Sequence, residues 1–385
     1  MRVLGATTAN DGHFGPIVPF LRACAAAGHD VRVAAPASFA AAVAAAGFAH
    51  EPFADAPPEL VGPIMARLPT VTFDEANELV VRDVFARVDA QAALPALRET
   101  VERWRPDVVV RETAELASLA AAERAGVPHV HVCIGMHEVA ARFTELIGEP
   151  LADLGGLAGL SSGQLVAALA AEPVFSLVPE VLDQVGPEAA GFVRFHEPPV
   201  GADSVPLPDW RGVEGPLVYV TFGSVTGSLP PFAGAFREAL DALADVEARI
   251  LMTVGRKVDP ASLGPVPPNA RVEQWFPQSA VLARAAAMIG HGGFGTTMGA
   301  LAAGVPQVVA PLFTFDQVVN GEHVASVGAG LTVEAGPGAV GRAAEHLPHL
   351  LTTPGYGAAA RRISDALRRL PPPAEAVARL VDLAS

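Results

Sequence analysis

Residues 286–311 constrain this chain more than any other stretch. Ala287-Met288-Ile289-Gly290 reads as an apolar strand, His291-Gly292-Gly293 as a glycine-rich turn, Phe294 onward as a helix, and Gln307-Val308-Val309-Ala310 as a second strand. Strand, tight turn, helix, strand is the unit of a parallel sheet, because parallel neighbours need a long crossover between them. The glycines carry a second implication. Amides at a helix start lack intrahelical partners and favour an anion, and Gly292, Gly293 and Gly295 let a phosphate come close. Thr296 and Thr297 add hydroxyl donors. Gly290, Gly292 and Gly295 also satisfy the dinucleotide-binding pattern G-x-G-x-x-G, a weak signal alone. His291 within the turn favours a diphosphate, to which an imidazole donates a hydrogen bond and, if protonated, offsets charge.

The rest of the chain repeats this alternation. Strand Val3–Thr7 leads to a helix near Pro16–Ala27 and a strand Val31–Ala35; further on, strand Asp107–Val110, helix Ala114–Ala125 and strand His129–Val132 follow one another. A second series begins at Leu217–Phe222 and continues through Arg249–Val254. With 385 residues, 51% hydrophobic and 17% charged, the chain is long enough for two cores. The expected fold is α/β, two facing Rossmann-like doubly wound parallel-sheet domains, whose strand ends are where such sheets bind ligands. Residues 1–200 read as one domain, the proline-rich 201–215 as a linker and 216–368 as the second domain.

The net charge of −15, without a basic stripe, speaks against nucleic acid. No stretch approaches a membrane span of about 18 apolar residues, and Met1-Arg2-Val3-Leu4 enters a strand rather than a signal peptide, so a cytoplasmic location is expected. Cys24 and Cys133 read as small buried hydrophobes.

Several motifs together carry a resemblance. His291-Gly292-Gly293-Phe294-Gly295-Thr296-Thr297, Ala303-Gly304-Val305-Pro306 and Asp316-Gln317-x-x-Asn320 resemble the donor-binding signature of family 1 glycosyltransferases, especially bacterial ones that decorate antibiotics and other natural products. Tyr219–Ser224 and Asn269–Gln278 extend it upstream, and Gly12-His13-x-x-Pro16 is similar to the family's acceptor-side loop. Segments 53–93 and 135–195 match least. The resemblance implies the GT-B fold, with residues 1–200 binding the acceptor, 216–368 the nucleotide sugar, and 369–385 forming a helix that returns to the N-terminal domain with Val377, Leu380, Val381 and Leu383 on its apolar face. It implies that Trp275 stacks on the nucleobase and Gln278 meets its edge. Ser224, His291, Gly293 and Thr296 then hold the diphosphate, and Asp316 and Gln317 bond sugar hydroxyls.

On the acceptor side the resemblance makes His13 the general base, a role suited to an imidazole at neutral pH. Glu112, just past strand Asp107–Val110, stands where the family carries Asp or Glu, and a carboxylate behind the base fixes its tautomer. The longer glutamate departs from the commoner aspartate. The implied reaction is a single displacement with inversion, and the absence of any Asp-x-Asp triplet leads us to expect no metal and no cofactor.

Plant-type members carry a glutamate eight residues after the motif histidine, bonding both ribose hydroxyls; here Gly299 stands there. That tilts the expectation from a UDP-sugar toward a TDP-sugar donor carrying a deoxysugar. The expected acceptor is a small hydrophobic natural product, held near Phe53, Met65, Phe73, Phe85, Met136, His137 and Phe143. A nucleotide-sugar 2-epimerase of the same fold and a catalytically silent binding homologue are the alternatives, and a homodimer stays open.

Overall fold

The computed structural model describes residues 1–161, 163–185, 191–196, 205–229, 232 and 234–385, and it divides into two compact units. The first comprises Met1–Leu177, Val185–Glu197 and Leu370–Ser385; the second comprises Val178–Gln184 and Pro198–Arg369.

In the first unit the strands are β1 (Arg2–Ala6), β2 (Asp30–Pro36), β3 (Ala49–Phe53), β4 (Val108–Glu112), β5 (His129–Val132), β6 (Val174–Ser176) and β7 (Phe192–Arg194). They stand in the order β3-β2-β1-β4-β5-β6-β7, every pair parallel. Valine-rich runs such as Val108-Val109-Val110 form these strands because branched side chains suit a sheet buried on both faces. The alternation is visible in the packing: Leu4, Ala6 and Val109 join one core cluster, and Val3, Val108 and Val110 join the other.

The second unit repeats the plan with β8 (Leu217–Thr221), β9 (Arg249–Thr253), β10 (Ala270–Glu273), β11 (Ala287–Gly290), β12 (Gln307–Val309) and β13 (Gly330–Thr332). Their order is β10-β9-β8-β11-β12-β13, again all parallel. In each sheet the strand order reverses once, at β1/β4 and at β8/β11. Loops leaving neighbouring strands at such a point diverge and open a crevice at the carboxyl ends.

Several expected boundaries shift. The first helix starts at Asp11, not near Pro16, because the Asn10 side chain caps it by accepting from the Gly12 amide; His13 therefore lies in its first turn rather than ahead of it. Strand β4 runs on to Glu112, which is its last residue, and the next helix starts only at Ala117. Cys133 lies just past β5, buried like Cys24.

Of the expected linker 201–215, residues 201–204 lie outside the described residues. Its remainder packs on the second unit: Trp210 is buried and donates Nε1–H to the Ile250 carbonyl, while Arg271 donates to the Asp209 carbonyl. Residues Val178–Gln184, within the stretch expected to be the N-terminal domain, group with the second unit, where the Leu182 carbonyl lies 2.7 Å from His323 Nδ1. The chain end, Leu370–Ser385, belongs to the first unit, its helix Ala376–Leu383 packing on Asp11–Ala26. Ala376 and Leu380 are the buried anchors, Val377 and Leu383 are partly covered, and Val381, expected on the apolar face, is exposed. A leucine buried as fully as Leu380 contributes about 1.5–3 kcal/mol to holding the helix there. Among the described residues no helix is long and apolar enough to cross a membrane.

Candidate active site

In the first unit the crevice at β1/β4 gathers three side chains. The register that pairs Ala6 with Arg111 brings the loop after β1 alongside the end of β4. Glu112 Oε1 accepts from the Thr8 amide and hydroxyl, each at 3.1 Å, and lies 3.3 Å from His13 Nδ1. The Thr8 hydroxyl is itself 2.9 Å from that nitrogen, and the Ala114 amide donates to Glu112 Oε2 at 2.6 Å. The added methylene of glutamate over aspartate is thus accommodated by donors at both oxygens.

The Glu112 side chain is 0% exposed and that of His13 14%. Burial alone raises a carboxyl, yet the charge of His13 and the hydrogen bonds from His13, Ala114 and Thr8 hold Glu112 below the usual carboxylate range. A charged Glu112 facing Nδ1 keeps the proton there and makes Nε2 the basic nitrogen. Phe85 tilts against the imidazole, ring centres 5.3 Å apart.

A cavity of about 360 Å³ in the same unit is lined by Thr8, Phe53, Val61, Val84, Asp89, Glu115 and Leu116, among others. Of the aromatic and thioether residues expected around an acceptor, Phe53 lines this cavity and Phe85 touches His13. Met136 and Phe143 are core residues, and Met65 is exposed. His137 packs edge-on against Phe192.

In the second unit the turn after β11 is built for close approach. Gly292 has φ +88, and a Cβ there would lie 2.5 Å from the Gln317 carbonyl oxygen. The Asn320 side chain donates to the Gly292 carbonyl at 2.7 Å and holds the turn in place. Gly293 caps the helix Phe294–Ala302 without a side-chain hydrogen bond, so the amides of Phe294, Gly295 and Thr296 have no intrahelical acceptor. His291 lies against this turn: a Cβ on Gly293 would be 2.4 Å from its Nε2, and one on Gly223 would be 2.8 Å away.

Burial pushes the His291 imidazole down to about 4, with the Thr221 backbone pulling the other way. The ring is therefore uncharged at neutral pH and offers a neutral hydrogen bond; a bound dianion would draw its pKa back up. Thr297, expected as a second hydroxyl donor, is fully buried and faces inward, because the helix turns it away from the turn that Thr296 shares.

The other expected donor residues are spread around this turn. Ser224 is exposed in the loop after β8. Trp275 is 53% exposed, an unusual state for an indole and one that leaves a face for stacking; the Arg256 guanidinium lies 4.4 Å over its ring. Gln278 begins a short helix, and its amide lies 3.6 Å from where a Cβ on Gly299 would stand. Its Nε2 is buried with no protein acceptor among the described residues.

Asp316 and Gln317 sit in the first turn of the helix Phe315–Ser326. Gln317 is only 3% exposed, and its Oε1 accepts from the Leu312 and Phe313 amides at 2.7 and 3.2 Å. A buried amide must satisfy its own polar atoms, so its carbonyl braces the loop, and only Nε2 is left for a sugar hydroxyl.

Sequence reasoning missed Thr8, Asp89 and Arg256. Arg256 follows a strand end, as loop ligands often do, but nothing in the sequence paired it with Trp275.

Comparison with known proteins follows the same lines. A family model described as erythromycin biosynthesis protein CIII-like, C-terminal domain, matches residues 237–383, and its N-terminal counterpart matches 22–151. The elloramycin glycosyltransferase of Streptomyces olivaceus is 33% identical over 396 residues, covering 99% of this chain and 97% of its own. The glycosyltransferase SnogD from Streptomyces nogalater superposes with a TM-score of 0.76 at 30% identity, covering 100% of this chain and 99% of its own. VinC, a glycosyltransferase solved in complex with dTDP, gives a TM-score of 0.76 at 27% identity with the same coverage.

Proposed function

The chain belongs to the bacterial natural-product glycosyltransferases of family 1, with the GT-B fold, and on that footing we propose that it moves a deoxysugar from a TDP-sugar to a hydroxyl of a small hydrophobic acceptor, inverting the anomeric carbon. The observation that carries this reading is the His13–Glu112 pair, a base with a buried carboxylate behind it. His13 Nε2 takes the proton from the acceptor hydroxyl, and Glu112 stabilises the imidazolium that forms. The acceptor oxygen bonds to the anomeric carbon as the bond from that carbon to the diphosphate breaks. The departing diphosphate carries the negative charge. Amides of Phe294, Gly295 and Thr296, the Thr296 hydroxyl, the His291 ring and Ser224 receive it. Gly293 leaves room for its oxygens beside His291. No Asp-x-Asp clamp exists in the chain, so the step is proposed to run without a metal. The same reading puts the enzyme in the cytoplasm.

Trp275 supports base stacking, Gln278 contact with the base edge, and Asp316 with the Gln317 amide hydrogen bonds to the sugar. The donor preference rests on Gly299. No carboxylate is present there to accept from two ribose hydroxyls, and the neighbouring Gln278 amide nitrogen is a donor. A 2′-deoxyribose asks less of such a site. The dTDP bound to VinC is in keeping with this preference.

Calorimetric titration tests it: TDP should bind more tightly than UDP, and equal or tighter binding of UDP overturns the preference. Incubating a TDP-sugar panel with and without aromatic and macrolide acceptors tests the reaction class. Glycoside formation is expected, whereas isomerised donor in the absence of acceptor would select the 2-epimerase.

A further inference from the structure

The cavity in the first unit has a volume of about 360 Å³, at the lower end of the roughly 300–1,000 Å³ of small-ligand sites. Its walls are mostly apolar, from Phe53, Val61, Val84, Ala93 and Leu116, with three carboxyl side chains among them, Asp55, Asp89 and Glu115. Two of the three are already engaged. Asp55 accepts from the Ser38 amide at 3.0 Å and from its hydroxyl. Glu115 accepts from the Ala117 and Ser118 amides and so caps the helix Ala117–Ala125. Thr8, also in the wall, is bonded to Glu112.

Asp89 differs: among the described residues no hydrogen bond or ion pair within the protein engages its carboxylate. It ends the π-helical segment Leu79–Asp89, in which residues roughly four to five apart share a face. Phe85, four residues earlier, is the ring that tilts against His13. One segment therefore supplies both a neighbour of the proposed base and a carboxyl in the cavity wall. Burial pushes the Asp89 carboxyl up to about 6; His13 on the first helix opposes the rise, and Glu112 on β4 and Asp55 after β3 add to it. A half-buried carboxyl without a protein donor takes its hydrogen bonds from water or from a ligand that lies in the cavity.

We propose that Asp89 is the specificity-determining residue of this cavity, accepting a hydrogen bond from a hydroxyl or ammonium group carried by a compact apolar ring system and turning away acceptors that carry a carboxylate. The proposal rests on the transferase reading for the cavity's role and names the acceptor chemistry that reading leaves open. Attraction and exclusion have one origin. A donor on the acceptor satisfies the carboxylate, whereas a second carboxylate a few ångströms away meets like charge in a half-buried wall.

The test uses the full chain saturated with TDP at about pH 8, where Asp89 is ionised. Three naphthol probes differing in one distal substituent, aminomethyl, hydroxymethyl or carboxylate, are titrated by calorimetry. The first two should bind about tenfold or more tightly than the third. Asp89→Asn, which keeps the shape, and Asp89→Ala, which opens space, should each bring the carboxylate probe to within about threefold of the others, with TDP affinity unchanged. Equal binding of all three probes to the unmodified chain, or a preference that survives both substitutions, overturns the proposal. A chain that binds TDP but none of the probes overturns the cavity assignment alone; one that binds neither TDP, UDP nor any probe overturns the transferase reading as well.

Discussion

The crevice at β1/β4 and the turn after β11 occupy equivalent places in two similar sheets, yet they are built by opposite means. At the first, Thr8, His13 and Glu112 come from separate elements, the histidine and the glutamate 99 positions apart in the chain. Their side chains set each other's charge: Glu112 is held ionised in full burial by its donors. At the second, the consecutive residues Phe294, Gly295 and Thr296 present backbone amides, and the one titratable ring, His291, is kept neutral by burial. The contrast follows from the chemistry each can perform. Moving a proton needs a side chain whose charge state is tuned by neighbours, whereas holding a diphosphate needs amides aimed outward and enough room, which glycine supplies.

Substitutions at the two places should separate turnover from nucleotide binding. The largest effect is expected for His13→Ala: turnover should fall by about 10² to 10⁴ while TDP affinity stays within about twofold. Near-normal turnover, or a parallel loss of TDP affinity, would break the comparison. Gly293→Ala is the complementary change. Its Cβ would stand 2.4 Å from His291 Nε2, so ring or turn must move, and TDP affinity measured by calorimetry should weaken by roughly tenfold to a hundredfold. Unchanged affinity would remove His291 and Gly293 from the diphosphate site.

The smallest effect concerns stability. Because the folded-state pKa of Glu112 is depressed, its ionised form stabilises the fold above its unfolded-state range, and that contribution is lost as pH falls through the folded value. Glu112→Gln should therefore lower the urea midpoint near pH 7 and approach the unmodified chain as the solution is acidified. A deficit independent of pH would mean that packing, not charge, accounts for the loss.

Some parts of this molecule were legible from the chain and others were not. The valine-rich strands, the glycine-rich turn and the helix that follows it are encoded by neighbours in sequence, so periodicity and glycine spacing are enough to find them. Boundaries were less legible: Asn10 starts the first helix ahead of Pro16 through a side-chain cap, and β4 continues through two charged residues because Arg111 and Glu112 are both satisfied inside the fold. The residue pattern alone gave no sign that Gln317 braces the loop at Leu312 and Phe313, since a glutamine reads the same whether its partner is a sugar or a backbone amide.

By itself, then, the sequence determined two α/β sheets, the anion-binding turn and, through its resemblance, the pair His13 and Glu112 as candidates. Only the tertiary structure decided that Thr8 joins that pair, that His291 is neutral, that Thr297 faces the core, that Arg256 lies over one face of Trp275 and that Asp89 stands unengaged in a cavity wall. The physical reason is range: backbone conformation is set by residues a few positions apart, while charge state, burial and hydrogen-bond partnership depend on which distant segments the sheet order brings together.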